Sequence, residues 1–273
     1  MNRRAALAVA AALAVHGEST TEVLRKSQNP SQLLAAAQAI IRSRNEAAIR
    51  QLQTYLVDPA FLARLDPAQD GANLAKVFVT ARQYPSRGVE VLCIALASAP
   101  EYETNADRLL EVLETLAASR PMTAASVEVF RRTNGQAFYS TNGRLLIENG
   151  SPRAMNLLGE MLTSADKDLE RRTELAHELL PPHRTELPVL ELVNTLLDQR
   201  IEESTANVLI ESIFDYQPGA WYGKRRDRPK PAAWDTAPAK SKVSAAALAR
   251  KALGRPTLPP SLRDVLKSHA AAR

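Results

Sequence analysis

Cysteine, glycine and aromatic residues are all scarce in this chain. Its 273 residues include one cysteine, 10 glycines and 5% Phe, Trp and Tyr. The single cysteine, Cys93, excludes an intramolecular disulfide framework and any cysteine-rich zinc module. Strands are enriched in aromatic and β-branched residues, so this composition, in which Ala and Leu dominate, argues against an all-β fold. It favours an α-helical protein.

The net charge is also small, but its distribution along the chain is uneven. The chain carries 35 Lys and Arg against 30 Asp and Glu, which gives +5 and identifies no class of partner. From Lys224 to the C-terminus, however, 13 basic residues face three acidic ones. Hydrophobic residues make up 45% of the chain, enough for a real core, so disorder over the whole length is excluded.

The N-terminus allows two interpretations. A basic start is followed by an unbroken apolar run over residues 5–15 and a small-x-small site at Ala12 to Ala14, which together resemble a secretory signal peptide. The run is mostly Ala and could equally be the first helix of the domain. It is too short for a membrane span, which needs about 18 residues. We expect a cytoplasmic protein, or a secreted or periplasmic one if residues 1–14 are cleaved.

Capping residues recur along most of the chain. Ser19 to Glu22 matches a capping box, in which the first side chain accepts from first-turn N–H groups and the glutamate reaches back. A capping residue, often followed by proline, predicts further helix starts. These starts are Asn29-Pro30, Asn45, Asp58-Pro59, Asp66-Pro67, Thr104-Asn105, Thr123, Ser151-Pro152, Thr185 to Pro188 and Ser244.

Apolar residues follow these starts at the 3.6-residue period of amphipathic helices. One stripe combines Val89, Leu92, Cys93 and Leu96, so we interpret Cys93 as a small buried residue. Pro181-Pro182 is expected to stop the helix that contains Leu169 to Leu180. The segment 135–150 is less regular and is predicted to be partly helical.

The helices recur at a spacing of about 34 to 40 residues. Val89 to Leu92 and Val127 to Phe130 lie 38 residues apart, and the starts at Ser151 and Thr185 lie 34 apart. Two helices per such unit resemble HEAT or armadillo repeats, most closely over Asn149 to Leu162. The resemblance covers residues 29–216 in degenerate form. It implies an all-α fold, a right-handed α-solenoid of stacked short helix pairs; a compact helical domain without repeats remains the alternative.

The C-terminal region differs from the rest. Seven of the 17 prolines and both tryptophans follow Gln217. We therefore predict four segments: residues 1–18, a repeat domain at 19–216, an extended basic arm at 217–242 and short helices within 243–273. The arm either caps the last repeat, which is the favoured interpretation, or binds a partner. Its candidate residues are Trp221, Tyr222, Lys224, Arg225, Arg226, Arg228, Lys230 and Trp234.

Catalytic and cofactor motifs are missing from the sequence. His177-Glu178 begins a metalloprotease-like string, but Pro181 stands where the second histidine is needed. His177 and His183 are interpreted as surface residues near a helix end, and no histidines have metal spacing. No glycine-rich phosphate loop is present. Acid pairs such as Glu111/Glu114 and Glu202/Glu203 are interpreted as solvated surface.

The sequence therefore predicts a scaffold that is not an enzyme, carries no cofactor or metal and binds an unidentified protein partner. The alternative is a module that binds nucleic acid through the basic arm. A salt titration separates the two, because phosphate binding weakens steeply as salt rises.

Overall fold

The computed structural model describes residues 19–67, 71–133, 138–164, 168–215 and 244–271. These residues contain sixteen α-helices and no strand, which confirms the predicted all-α class. Two compact units divide the chain between Arg132 and Thr133. No helix in the described ranges is both long and apolar enough to cross a membrane. The alternative interpretations of residues 1–18 lie outside the described residues.

Nine of the described helices begin in the first unit. They are α1 (Thr20–Lys26), α2 (Pro30–Ser43), α3 (Glu46–Leu56), α4 (Pro59–Leu65), α5 (Ala72–Gln83), α6 (Arg87–Leu96), α7 (Pro100–Glu103), α8 (Ala106–Ala118) and α9 (Ala124–Thr133). Within this unit, α2 packs against α5 and α5 against α8, while α3 packs against α6. The short α4 begins at the predicted start Asp58-Pro59, whereas the short α7 is additional to the predicted helices. Each begins at a proline, Pro59 and Pro100, in the first turn.

The described part of the second unit contains seven further helices. They are α10 (Tyr139–Asn149), α11 (Pro152–Thr163), α12 (Leu169–His183), α13 (Leu187–Asp198), α14 (Glu203–Phe214), α15 (Ala245–Leu253) and α16 (Pro260–Ala271). Helices α10, α12, α14 and α16 pack against one another in that order, as do α11, α13 and α15. The less regular segment 135–150 therefore contains a full helix, α10.

Side-chain caps account for many of the helix starts. The Ser19 hydroxyl accepts a hydrogen bond from the backbone N–H of Glu22 at 3.2 Å, and Asn45 accepts from two first-turn N–H groups of α3. The Glu22 carboxylate binds Arg25 at 2.6 Å instead of reaching back, so only half of the predicted capping box forms. Ser244 caps α15 in the predicted way.

Two proline-containing segments differ from their predictions. Asp66 is the C-cap of α4, and the next described helix begins at Ala72, so Asp66-Pro67 is not the start of a capped helix. Helix α12 continues through Pro181 to His183. Proline already has a helical φ, but it loses its N–H bond and its ring crowds the carbonyl of residue i−4; the buried Pro181 lies in the last turns of the helix, where these costs are offset by its packing.

Small residues allow neighbouring helices to approach closely in the second unit. Gly143 of α10 faces α12, and a Cβ atom at this position would collide with the Leu179 side chain. A larger residue at this position would therefore require the Leu179 side chain to move.

Helices α15 and α16 pack against α13 and α14 and cover a surface of these two helices that would otherwise be exposed. Phe214, the last residue of α14, is 1% exposed, and its ring lies 5.1 Å from the imidazole of His269 on α16. On the other side, the Lys251 ammonium binds the Asn194 side chain and Asp198 of α13. The edge for which the sequence predicts a cap is thus covered by two C-terminal helices.

Candidate interaction cleft

A cleft opens between the N-terminal halves of α5 and α8 in the first unit. Its volume is about 270 Å³. Pockets for drug-sized ligands measure roughly 300–1,000 Å³, so this cleft suits one side chain or a short group. The lining residues are Asp66, Gly71, Ala72, Leu74, Ala75, Phe78, Asn105, Asp107, Arg108, Leu110 and Glu111.

The floor of the cleft is apolar because it is formed by the buried face of α5. Leu74 and Phe78, one helical turn apart, are each 1% exposed, and Leu110 of α8 completes the floor. Ala75 lies beside them. Val79, which is 42% exposed, follows Ala75 by one turn on the same side of α5. An apolar surface therefore continues from the cleft along α5.

Tyr102 of α7 supports this floor from below. Its ring meets the Phe78 ring edge-on, with centroids 6.4 Å apart. Tyr102 is fully buried, and its hydroxyl has no hydrogen-bond partner among the described residues. Burial, the largest influence, raises the pKa of this phenol well above its usual value. A buried hydroxyl without a partner costs free energy of folding.

We expect Tyr102→Phe to stabilise the protein by about 1 kcal/mol, because the change removes the unsatisfied hydroxyl and keeps the ring. Chemical denaturation of both proteins measures the difference. Tyr139→Phe is the matched control: the Tyr139 hydroxyl is also buried but donates to the Met161 carbonyl at 2.7 Å, so its loss should destabilise. A destabilised Tyr102→Phe protein would contradict the prediction.

The rim of the cleft is charged and mainly acidic. Asp107 and Glu111 contribute carboxylates to the rim, and Arg108 contributes the guanidinium; Asp66 also lines the cleft but is only 2% exposed. Asn105 holds the start of α8 in place, since its side-chain oxygen accepts from the Arg108 backbone N–H at 3.1 Å. The capping residue that the sequence predicts here therefore positions the rim.

Glu111 and Glu114 share one cation. The Arg82 guanidinium of α5 lies 3.1 Å from the Glu111 carboxylate and also binds Glu114. All three side chains are about one-quarter exposed, so the interpretation of this acid pair as solvated surface is wrong. Burial, opposed by Arg82 and assisted by the neighbouring Glu114, raises the pKa of Glu111. This rim carboxylate therefore remains incompletely stabilised.

The second acid pair is also engaged in contacts. Glu203 binds the Arg255 guanidinium at 2.6 Å. Glu202 remains 62% exposed, as predicted, but lies 3.1 Å from the guanidinium of Arg172, whose side chain is only 7% exposed. A single sequence does not indicate these partners, because each lies 30 or more residues away along the chain.

Glu90 is a buried carboxylate that the sequence interpretation misses. It is 5% exposed and accepts hydrogen bonds from the hydroxyls of Thr123 and Ser126, the latter at 2.8 Å, and from Arg87 at 2.6 Å. Burial raises the pKa of Glu90, but these three hydrogen bonds together outweigh burial and lower it. The available signal was its position within an otherwise apolar run, Val89 to Leu92.

Cys93 lies in the core, as its stripe predicts. It is fully buried on α6. Burial, with a smaller contribution from nearby Glu90, raises the pKa of the thiol. A buried thiol with a raised pKa is a poor nucleophile, since the thiolate is the reactive form.

We expect a thiol reagent to label Cys93 slowly in the native protein and rapidly after denaturation. Cys93→Ser should destabilise by about 1–3 kcal/mol, because a hydroxyl would be buried without an assured partner. Labelling kinetics and denaturation curves measure the two effects. Rapid labelling of the native protein would place the thiol at the surface and contradict its assignment to the core.

The histidines lie apart from one another. His183 is at the end of α12, whereas His177 is inside this helix and only 15% exposed, so its interpretation as a surface helix-end residue is wrong. Burial lowers the pKa of His177 and, with help from Arg184, that of His269. Across the described ranges, no three His, Cys, Asp or Glu side chains form a metal-binding group.

The predicted interaction arm cannot be compared with this cleft. Its eight candidate residues, from Trp221 to Trp234, lie outside the described residues. The cleft itself was not predicted, because it requires α5 and α8 to lie side by side. In comparisons with known proteins, no family model, no curated protein and no solved structure matches the chain.

Proposed function

We propose that this chain is a non-catalytic helical-repeat protein of the HEAT-like type and that it binds another protein. The observation that carries the proposal is the cleft between α5 and α8, which combines an apolar floor with a charged rim. Protein interfaces have this anatomy, with an apolar centre surrounded by polar groups.

Contacts between successive helices support the repeat architecture. Hydrogen bonds between neighbouring helices join residues separated by similar lengths of chain. The separations are 38 residues for Gln38 and Lys76, 36 for Glu90 and Ser126, 35 for Ala97 and Arg132, 38 for Ser140 and Glu178, and 33 for Arg172 and Thr205. They lie within, or one residue below, the 34- to 40-residue period expected from the sequence. Stacked repeats of this kind expose extended binding surfaces.

Exposed apolar side chains in the first unit, one of them beside the cleft, support the binding of a protein. Val79, Tyr84 and Val91, on or next to α5 and α6, are 42%, 37% and 38% exposed. Val79 lies beside the cleft on α5. A partner that fills the cleft with one side chain would also cover Val79, which would bury further apolar area.

Photo-crosslinking tests the proposal. A benzophenone amino acid at Ala72, which is exposed and lines the cleft, should form light-dependent adducts with one defined polypeptide in cells that naturally express the chain. The same amino acid at Gln51, exposed on α3, is the control and should not give this adduct. Adducts with nucleic acid alone, or the same adduct from both positions, would contradict the proposal.

The nucleic-acid alternative has its own test. Its candidate residues lie in the basic arm, outside the described residues. Retention of DNA or RNA at low salt, with a log–log salt slope near −0.9 per phosphate contacted, would favour that alternative over protein binding. We expect no specific retention.

A further inference from the structure

We propose that the cleft between α5 and α8 receives a basic side chain, arginine or lysine, from the partner protein. This inference rests on the proposed function and specifies the chemistry of the partner. It follows from three features of the described residues: the charge of the rim, the apolar floor and the size of the cavity.

The rim favours a cation. Asp107 and Glu111 both line the cleft on α8, and the cation nearest to Glu111, Arg82, is also bound to Glu114. Two carboxylates of α8 therefore share one guanidinium. An added cation would give Glu111 a second charged partner. The raised pKa of Glu111 is consistent with this need.

The floor favours a cation on an alkyl stem. Leu74, Phe78 and Leu110 form an apolar base beneath the charged rim. Lys and Arg side chains place their methylene groups on apolar surface while the charged end reaches polar groups. The volume of about 270 Å³ is below the usual range for drug-sized ligands and matches the insertion of a single long side chain.

Features that favour an anion are weaker. Arg108 lines the cleft, and α5 begins there without a side-chain cap on its first N–H groups. A helix N-terminus provides about half a positive charge. The carboxylates of Asp107 and Glu111 line the same cleft. A phosphate or carboxylate ligand would have to approach both of these negative charges. We therefore assign a cationic ligand.

Nuclear magnetic resonance of the full chain tests the inference with small probes. N-acetyl-arginine amide and N-acetyl-lysine amide should shift the backbone amides of Ala72, Ala75 and Leu110 in a saturable way. N-acetyl-norleucine amide, which has the alkyl stem without the charge, and inorganic phosphate should leave these amides unchanged. Equal shifts with norleucine amide, or shifts with phosphate alone, would overturn the assignment of a cationic ligand.

Two variants test whether the carboxylates of Glu111 and Asp107 bind the basic probe. Glu111→Gln and Asp107→Asn should each weaken binding of the basic probe about tenfold, the loss typical for one charged hydrogen bond. In the first variant Glu114 still binds Arg82, and the second leaves this ion pair untouched, so both should fold. Glu128→Gln, which removes an exposed carboxylate of α9, is the matched control and should bind as the wild type does. Unchanged binding in both cleft variants would overturn the inference.

The outcomes for the partner and for its chemistry can be separated. A polypeptide adduct at Ala72 without binding of either basic probe would support the proposed protein binding but contradict the assignment of a basic side chain to the cleft. Binding of the basic probe without any polypeptide adduct would support a cation site but contradict the proposed binding of a protein partner.

Discussion

Deletion of residues 244–273 is expected to lower the melting temperature by about 10 °C or more. Helices α15 and α16 cover α13 and α14, and their buried side chains include Leu248, Leu262 and Leu266. Full burial of one such leucine contributes about 1.5–3 kcal/mol relative to exposure. For a protein of this size, each kcal/mol corresponds to about 2–4 °C, so the loss of several buried leucines produces the expected shift. Thermal denaturation followed by circular dichroism measures it.

A second deletion separates the two models of the cap. Replacing residues 217–242 by a Gly/Ser linker of equal length removes the basic arm and both tryptophans but retains α15 and α16. If these helices are the cap, this variant should melt close to the wild type. A large loss of stability only in the arm variant would show that Trp221 and Trp234 provide the cap. Tryptophan emission gives an independent readout, because both tryptophans lie in the arm.

A single substitution in α16 tests the packing of this helix with less disruption than the deletion of residues 244–273. Leu266 is fully buried on α16, so Leu266→Ala should cost about 2–5 kcal/mol. The neighbouring Lys267 is 63% exposed, and Lys267→Ala should change stability by less than about 0.5 kcal/mol. Equal effects of the two variants would contradict the docking of α16 described here.

Replacement of Glu90 is the second change with a large expected effect. Glu90→Gln should destabilise by about 2 kcal/mol at neutral pH, because Thr123 and Ser126 would then donate to a neutral oxygen and the oxygen that accepts from Arg87 would be replaced by an NH2 group. Urea denaturation measures the difference. Glu128→Gln is the control: Glu128 is 67% exposed and pairs with exposed Arg131, so its removal should matter little.

The pH dependence of this difference identifies its origin. The pKa of Glu90 is lowered in the folded protein from a reference value of 4.5. Its stabilising contribution is therefore fully present above about pH 4.5 and is lost as the pH falls through the folded pKa. The difference between wild type and Glu90→Gln should shrink on acidification from pH 6 towards pH 3. A constant difference would show that packing, and not the charge, causes the effect.

A double-mutant cycle isolates the contact between Glu90 and its closest hydroxyl partners. Ser126→Ala should destabilise the wild type more than it destabilises Glu90→Gln, because in the Glu90→Gln variant the Ser126 hydroxyl already lacks a charged acceptor. Additive effects would contradict a direct interaction between the two side chains.

Local chemistry made most of the helices predictable. Ser19, Asn29, Asn45, Asn105 and Ser244 cap the helices that follow them, because their side-chain oxygens accept from N–H groups two or three residues ahead. The apolar stripe from Val89 to Leu96 correctly placed Cys93 in the core, since a 3.6-residue period requires no knowledge of the neighbouring helix.

Contacts between distant residues were not predictable in the same way. Glu90 is buried while Val91 is 38% exposed, the reverse of what their polarity suggests. Helix α6 packs against α3 and also contacts the start of α9, so its buried surface is wider than one stripe and includes Glu90. A carboxylate is stable there only because Thr123 and Ser126, more than 30 residues away, donate to it.

The sequence by itself determined the all-α class, most helix starts and the apolar faces, because caps and periodicity act over a few residues. Tertiary structure alone decided that α12 continues through Pro181, that Arg82 joins Glu111 to Glu114, and that a cleft lies between α5 and α8. Each of these features depends on the free energy of burying groups that meet only when the helices pack. No local pattern carries that information.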